Sequence, residues 1–366
     1  MAIQRSDGFI SPWGDPSITE PRFTSACSDG CRRSALTIAG SRKSSAPQNR
    51  RPALSVFLHA TPGLYQMRIH HLSCGTMCPF GGRLWDGFNP VLRPARIVCH
   101  CLLVETEAGL VLVDTGFGVR DVAQPQRLSP LFRITNRVRL RQQDTALRQL
   151  EALGYAAADV RHIVLTHLDF DHAGGIADFP KATVHIFGAE LDAAQSQRSI
   201  VDRGRYRPAQ WAGNIAWQRY SLEGERWFGF HCVRELVGLP ADILLVPLAG
   251  HTFGHCGVAV RRPEGWLLHC GDAYFFRGEM DLDEYRCTPM LRLYQRLMAA
   301  ANRTRLANLE RLRELKGHHA RDIRLFCAHD AQELEQFQTM DPAPAPNPAE
   351  RDSTAAKEIA QVPPFK

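Results

Sequence analysis

The sequence predicts a layered α/β fold, and three observations carry that expectation. Short β-rich apolar runs alternate with stretches of helical periodicity along most of the chain. The runs stop abruptly at turn residues, as strands between helices do. Histidine and aspartate recur just past several of the runs, where a sheet holds the backbone and a loop releases the side chains.

Taken in order, Met67-Arg68-Ile69-His70-His71-Leu72 opens the patterned part of the chain. Residues 97–105 and 109–113 read as strands joined by a hairpin turn at Glu107-Ala108-Gly109, the second stopping at Asp114-Thr115-Gly116. Asp144 is expected to cap a helix on which Leu147, Leu150 and Leu153 share a face, with Gly154 ending it. Residues 160–165 form a short buried strand that runs into Thr166-His167, and 183–187 form another after Gly174-Gly175. Further strands are expected at 243–247, 258–261 and 265–270. Leu306, Leu309, Leu312 and Leu315 recur at helical spacing, 323–327 is a last strand, and 331–339 is a helix.

Composition sets the outer bounds. Of 366 residues, 44% are hydrophobic and 22% charged, enough apolar surface for a full core. No run approaches the roughly 18 consecutive apolar residues of a membrane-spanning helix, so no membrane partner is expected. The net charge is +6, but eight basic and four acidic residues lie in 1–52, which leaves +2 for the remainder. A near-neutral body gives no reason to expect a nucleic-acid partner.

Residues 1–64 are rich in Ser, Arg, Pro and Gly and read as a disordered basic extension, with the true start expected near Met67. They lack the apolar segment of a secretory signal. Residues 341–366 carry Pro342, Pro344, Pro346, Pro348, Pro363 and Pro364 and read as an extended, disordered tail. One folded body, 65–340, lies between. The eleven cysteines lack the spacing of a structural zinc site, and without a secretory signal they are expected to be reduced thiols in a cytoplasmic protein.

The chemistry concentrates in His167-Leu168-Asp169-Phe170-Asp171-His172-Ala173-Gly174-Gly175, four potential ligands in six residues at a strand end. In an extended loop His167, Asp169 and Asp171 lie roughly on one side, and His172 turns to another direction, which suits two neighbouring metal ions. His251, Asp272 and His329 each follow an apolar run in the same way.

This ordered set resembles the metallo-β-lactamase superfamily, whose usual motif is His-x-His-x-Asp-His. The likeness continues through Asp114-Thr115-Gly116, Gly250-His251-Thr252, Gly271-Asp272 and Ala328-His329, over about residues 67–340. The first motif and His329-Asp330 look most like the branch of the N-acyl-homoserine lactonases. The resemblance implies an αββα sandwich, two mixed β-sheets flanked by helices, with the site along one edge. It implies His167, Asp169 and His251 on one divalent ion and Asp171, His172 and His329 on a second, with Asp272 bridging. It further implies a hydrolase that opens a lactone or cleaves a small ester or thioester with a metal-bound hydroxide. Asp171 would also orient that hydroxide. Tyr274 would reach the substrate oxyanion. Asp114, Thr166 and His255 would support the ligands from behind.

One position departs from the pattern: Asp169 stands where the second histidine is usual. An oxygen ligand makes the first ion site harder and more negative, so manganese or iron become candidates beside zinc. The other readings are a phosphodiesterase or nuclease of the same superfamily, and a non-catalytic metal or ligand binder. Two segments stand outside the minimal motif set. Cys78-Pro79-Phe80-Gly81-Gly82-Arg83-Leu84-Trp85 is a loop expected to flank the site. Residues 206–230 hold Tyr206, Trp211, Trp217, Tyr220, Trp227, Phe228 and Phe230, which could form a lid, the interface of a homodimer, or packing on the body of a monomer. Arg203, Arg205 and Arg207 are candidates to pair with an anionic substrate.

Overall fold

Strand runs that are apolar at nearly every position must be buried on both faces, and the computed structural model shows two sheets that do this. It describes residues 67–341. The expectations for 1–64 and for the tail after Asp341 lie outside the described residues. The first sheet contains β1 (Ile69–Met77), β2 (Ile97–Thr106), β3 (Gly109–Val113), β4 (Val160–Val164), β5 (Thr183–Phe187) and β6 (Ala216–Tyr220), paired in that order. The second contains β7 (Glu225–Trp227), β8 (Phe230–Glu235), β9 (Ile243–Pro247), β10 (Cys256–Arg262), β11 (Gly265–His269) and β12 (Ile323–Phe326), also in chain order. Both sheets are mixed. β1–β2–β3 is antiparallel and β3 to β6 is parallel; β7 to β11 is antiparallel and β11–β12 is parallel.

The helices are α1 (Val119–Ala123), α2 (Pro130–Asn136), α3 (Ala146–Ala152), α4 (Phe170–Ala173), α5 (Gly188–Ser196), α6 (Ile200–Arg205), α7 (Pro289–Met298), α8 (Asn302–His318) and α9 (Ala331–Met340). Three apolar clusters define the layers. Leu102, Val104, Val111, Val113 and Val164 of the first sheet meet Leu245, Val258, Val260, Leu267 and Phe326 of the second between the sheets. On the outer face of the first sheet, Leu103, Leu112, Ile163 and Val184 pack with Leu150 and Leu191 of α3 and α5. On the outer face of the second, Leu244, Val246 and Leu268 pack with Leu309, Leu312 and Leu315 of α8. Strand alternation sends neighbours such as Leu102 and Leu103 into different layers. The result is the expected αββα sandwich.

Two local expectations are corrected. The residue capping α3 is Thr145, whose hydroxyl accepts the Arg148 N–H, while Asp144 ends a preceding 3₁₀ turn. Leu306 is 45% exposed although Leu309, Leu312 and Leu315 are buried. A strict three-residue spacing falls behind the helical repeat by about 60° per step, so Leu306 and Leu315 end on opposite faces.

All seven aromatics of 206–230 pack on the body. Tyr206 and the edges of Trp211 and Trp217 join the first cluster, Tyr220 the inter-sheet layer, and Trp227, Phe228 and Phe230 the second cluster. Among the described residues no helix is long and apolar enough to cross a membrane. Every described cysteine is free.

The layering predicts unequal costs on α8. Leu312, fully enclosed, should lose about 2–5 kcal/mol of unfolding free energy as Leu312→Ala. Leu306→Ala should cost under about 1 kcal/mol. Chemical denaturation of both variants measures the contrast.

Candidate metal centre

The ligand-type residues converge because their strands end together. His167, Asp169, Asp171 and His172 follow β4, His251 follows β9, Asp272 follows β11, and His329 follows β12. All seven side chains are buried. They form two groups that could hold a metal ion: His167, Asp169, His251 and Asp272, and Asp171, His172 and His329.

The first group is a near-regular cage. His167 Nε2 lies 3.5 Å from Asp169 Oδ2 and 3.6 Å from Asp272 Oδ2. His251 Nε2 lies 3.1 Å and 3.3 Å from the same two oxygens. In the second group Asp272 Oδ1 lies 3.3 Å from His172 Nε2 and 3.1 Å from His329 Nε2. The two imidazole nitrogens are 3.4 Å apart, and Asp171 Oδ2 is 3.8 Å from His329 Nε2. A tetrahedron with metal–ligand bonds of about 2.0–2.2 Å has edges of about 3.3–3.6 Å, so both groups match the size of a divalent ion. Asp272 presents one oxygen to each. His167 Nε2 and Asp272 Oδ1 are buried and make no hydrogen bond, which is costly unless an ion satisfies them. The donor set therefore fits two divalent ions.

The surrounding hydrogen bonds leave the Nε2 atoms pointing inward. His172 Nδ1 donates to Asp114 Oδ2 at 2.8 Å, and His329 Nδ1 donates to the Val98 carbonyl at 2.7 Å. Asp114 also accepts the Thr166 N–H and hydroxyl, both at 2.8 Å, and Thr166 Oγ1 accepts from His167 Nδ1 at 2.9 Å. His255 is bound at both ends: its Nδ1 donates to the Leu248 carbonyl, and its Nε2 accepts the Asp272 N–H at 2.8 Å. That approach needs Gly271, at φ 53°, where a Cβ would sit 2.6 Å from His255 Nε2. Asp114, Thr166 and His255 thus each hydrogen-bond to residues of the two groups.

Electrostatics follow from this crowding. Burial opposes charge on Asp272, yet His329, His172, His251 and His167 hold its carboxyl well below the usual range. Burial likewise opposes charge on Asp169, and Arg205 is the leading group that holds it low. His167 is pushed down to about 4, first by burial and then by His172.

Arg205 revises two expectations. It does not face a substrate: it is 1% exposed, and its Nε lies 3.0 Å from Asp169 Oδ1 in an ion pair. The first group is therefore less negative than Asp169 alone suggests. Arg203 is exposed, and Arg207 donates to the Arg127 carbonyl.

Tyr274 is also corrected. It is fully buried in the cluster under α8, and its hydroxyl donates to Glu333 at 3.0 Å and 3.2 Å, so it does not reach the centre. A second tyrosine, Tyr294 on α7, packs beside the site, and its hydroxyl is pushed well above its ordinary range by burial and then by Asp171, Asp169 and Asp272. Its ring lies 5.6 Å from Phe275, which stacks on His329 at 4.9 Å and borders His251 at 5.7 Å. Trp85, from the loop expected to flank the site, meets Tyr294 edge-on at 6.4 Å. Sequence reasoning missed Tyr294 because it sits on a helix with no ligand motif nearby. It also missed Glu190, which accepts the Leu168 and Gly254 N–H groups and the Tyr206 hydroxyl and so ties two ligand loops together.

The chain is similar to several known proteins. The model of the metallo-beta-lactamase superfamily matches residues 95–318. A probable metallo-hydrolase of Mycobacterium tuberculosis is 44% identical over 265 residues, 72% of this chain and 80% of that protein. An N-acyl homoserine lactonase of Bacillus cereus is 33% identical over 117 residues, 31% of this chain and 47% of that protein. Among solved structures, an N-acyl homoserine lactone hydrolase with N-hexanoyl-L-homoserine at its catalytic metal centre aligns with a TM-score of 0.56 and 20% identity, over 75% of this chain and 97% of that one.

The buried Glu333 carboxyl carries a pH prediction. Burial, and then Asp330, raise Glu333 from 4.5 to about 7. The folded state favours the protonated acid, so this contribution to stability is full below about 4.5 and lost as pH rises through about 7. Glu333→Gln should flatten the dependence of thermal midpoint on pH across that window, as calorimetry at a series of pH values would measure.

Proposed function

The chain belongs to the metallo-β-lactamase superfamily and is a metal-dependent hydrolase, and from that premise we propose a two-ion enzyme that opens a lactone or cleaves a small carboxylic ester or thioester. The observation that carries this reading is Asp272, one oxygen turned to each ligand group. Two divalent ions, zinc foremost with manganese or iron as alternatives, would lower the pKa of a shared water toward neutrality and polarise the carbonyl under attack.

The chain's own residues supply position and proton handling. His167, Asp169, His251 and Asp272 would hold one ion, and Asp171, His172, His329 and Asp272 the other. Asp171 has the most open side chain of the seven, at 10% exposure. It would orient the attacking water, hold its proton and return that proton to the leaving oxygen. Tyr294 would donate its hydroxyl to the substrate carbonyl oxygen, since a phenol kept protonated beside carboxylates is a donor. Trp85, Phe88, Phe275, Phe276 and Leu291, together with Asp86, Arg96, Arg277 and Asp330, line a narrow cleft beside His329, and an acyl or alkyl group would have to widen it to enter along the apolar side chains.

One observation favours a second reading. A neighbouring cavity carries Arg93, Arg96, Arg139 and Arg141 and would receive an anionic group, as in a phosphodiesterase. A panel of lactones, aryl esters, thioesters and phosphodiesters decides between the two; the proposal expects turnover in the carboxylic series.

Two variants test the assignments. Asp272→Ala should lose both ions and nearly all activity together, and retention of two ions at a normal rate would show the bridge to be wrong. Tyr294→Phe should keep two ions per chain while kcat falls about 10²-fold. An unchanged kcat would remove Tyr294 from the chemistry.

A further inference from the structure

We propose that Asp169 and Arg205 act as one electroneutral unit in place of the imidazole that the motif usually carries at position 169. This rests on reading the seven side chains as a two-ion centre.

Arg205 is the last residue of α6, a helix that Ser199 caps by accepting the Asp202 N–H. Its guanidinium is anchored at three points. Nε pairs with Asp169 Oδ1 at 3.0 Å, Nη1 donates to the His251 carbonyl at 2.9 Å, and Nη2 donates to His251 Nε2 at 3.0 Å. Asp169 is thereby divided between two tasks. Oδ1 faces the arginine, and Oδ2 faces His167 and His251 across the first ligand group. The guanidinium is too enclosed to meet a substrate, so its charge acts on the centre alone.

The charge count supports this division. Asp169, Asp171 and Asp272 carry three negative charges and Arg205 one positive, which leaves minus two around the ions. A histidine at 169 with no arginine would leave the same minus two from Asp171 and Asp272. The pair thus keeps the charge that two divalent ions meet and supplies an oxygen donor instead of a nitrogen. Only the Nη2 contact uses a lone pair that an ion needs, that of His251 Nε2. The contacts to Asp169 and to the His251 carbonyl use other atoms and hold the guanidinium when that one gives way.

The inference reverses a simple expectation. Asp169→His does not restore the usual motif, because it strands a buried guanidinium beside two cations. Restoration requires Arg205→Met as well. The test measures zinc per chain by elemental analysis and first-ion affinity by chelator competition. The wild type should hold two ions. Asp169→His should bind its first-group ion about 10–100-fold more weakly than Asp169→His/Arg205→Met, which should hold two again. If the histidine variant does not fold, Asp169→Asn with and without Arg205→Met must show the same order.

Equal affinities in the single and double variants would overturn the pairing. One ion per wild-type chain would also overturn it, because the guanidinium would then replace an ion and not an imidazole. A wild type that binds no zinc, manganese or iron would instead refute the two-ion centre on which the pairing rests.

Discussion

Three carboxylates, Asp169, Asp171 and Asp272, are buried in one cluster, and the rest of the site is organised by the need to balance them. At a separation of about 4 Å and an effective dielectric of about 20, two like charges repel by about 4 kcal/mol. Such a cluster persists only with positive charge at close quarters. Four imidazoles surround Asp272, and a guanidinium holds Asp169. Two buried side-chain atoms, His167 Nε2 and Asp272 Oδ1, still lack hydrogen bonds inside cages of ion size. The unmet demand is for cations, which is why the site reads as a metal centre before any relative is considered.

The sandwich supplies the precision this balance needs. The ligand-type residues stand just beyond β4, β9, β11 and β12, four strands whose apolar residues lock both sheets together. Asp114, at the end of β3, adopts φ 57°, and from that turn its carboxylate reaches both Thr166 and His172. Glu190 fastens the loop after β4 to the loop after β9, and the contact is so close that a Cβ at Gly254 would lie 2.2 Å from the Glu190 nitrogen. Rigid strand ends, close turns and buried carboxylate anchors thus fix the imidazoles in one orientation.

Much of this was legible in the sequence, for physical reasons that also mark where legibility stops. Strands buried on both faces announce themselves as apolar runs, so β3, β5 and β9 fell on 109–113, 183–187 and 243–247 as expected. His167 to His172 stood out because four ligand-type residues in six positions at a strand end are rare in a loop without a task. Their grouping with His251, Asp272 and His329 came from family resemblance, since spacing alone does not say which distant residues meet. Arg205 lay beyond reach. In the sequence it is one of three alternating arginines, and only the path of α6 turns it inward while Arg203 stays outside. Tyr274 is the tyrosine the resemblance points to, two residues past Asp272. The backbone after Gly271 sends it into the core beside Glu333, and a helix twenty residues further on delivers Tyr294.

The central claim is that Asp272 joins two ion sites through its two oxygens. Anomalous diffraction at the metal edge, on crystals of the loaded protein, measures this most directly. Two peaks should appear, one among His167, Asp169, His251 and Asp272 Oδ2, the other among Asp171, His172, His329 and Asp272 Oδ1. A single peak, or an Asp272 bound to one ion alone, would contradict it.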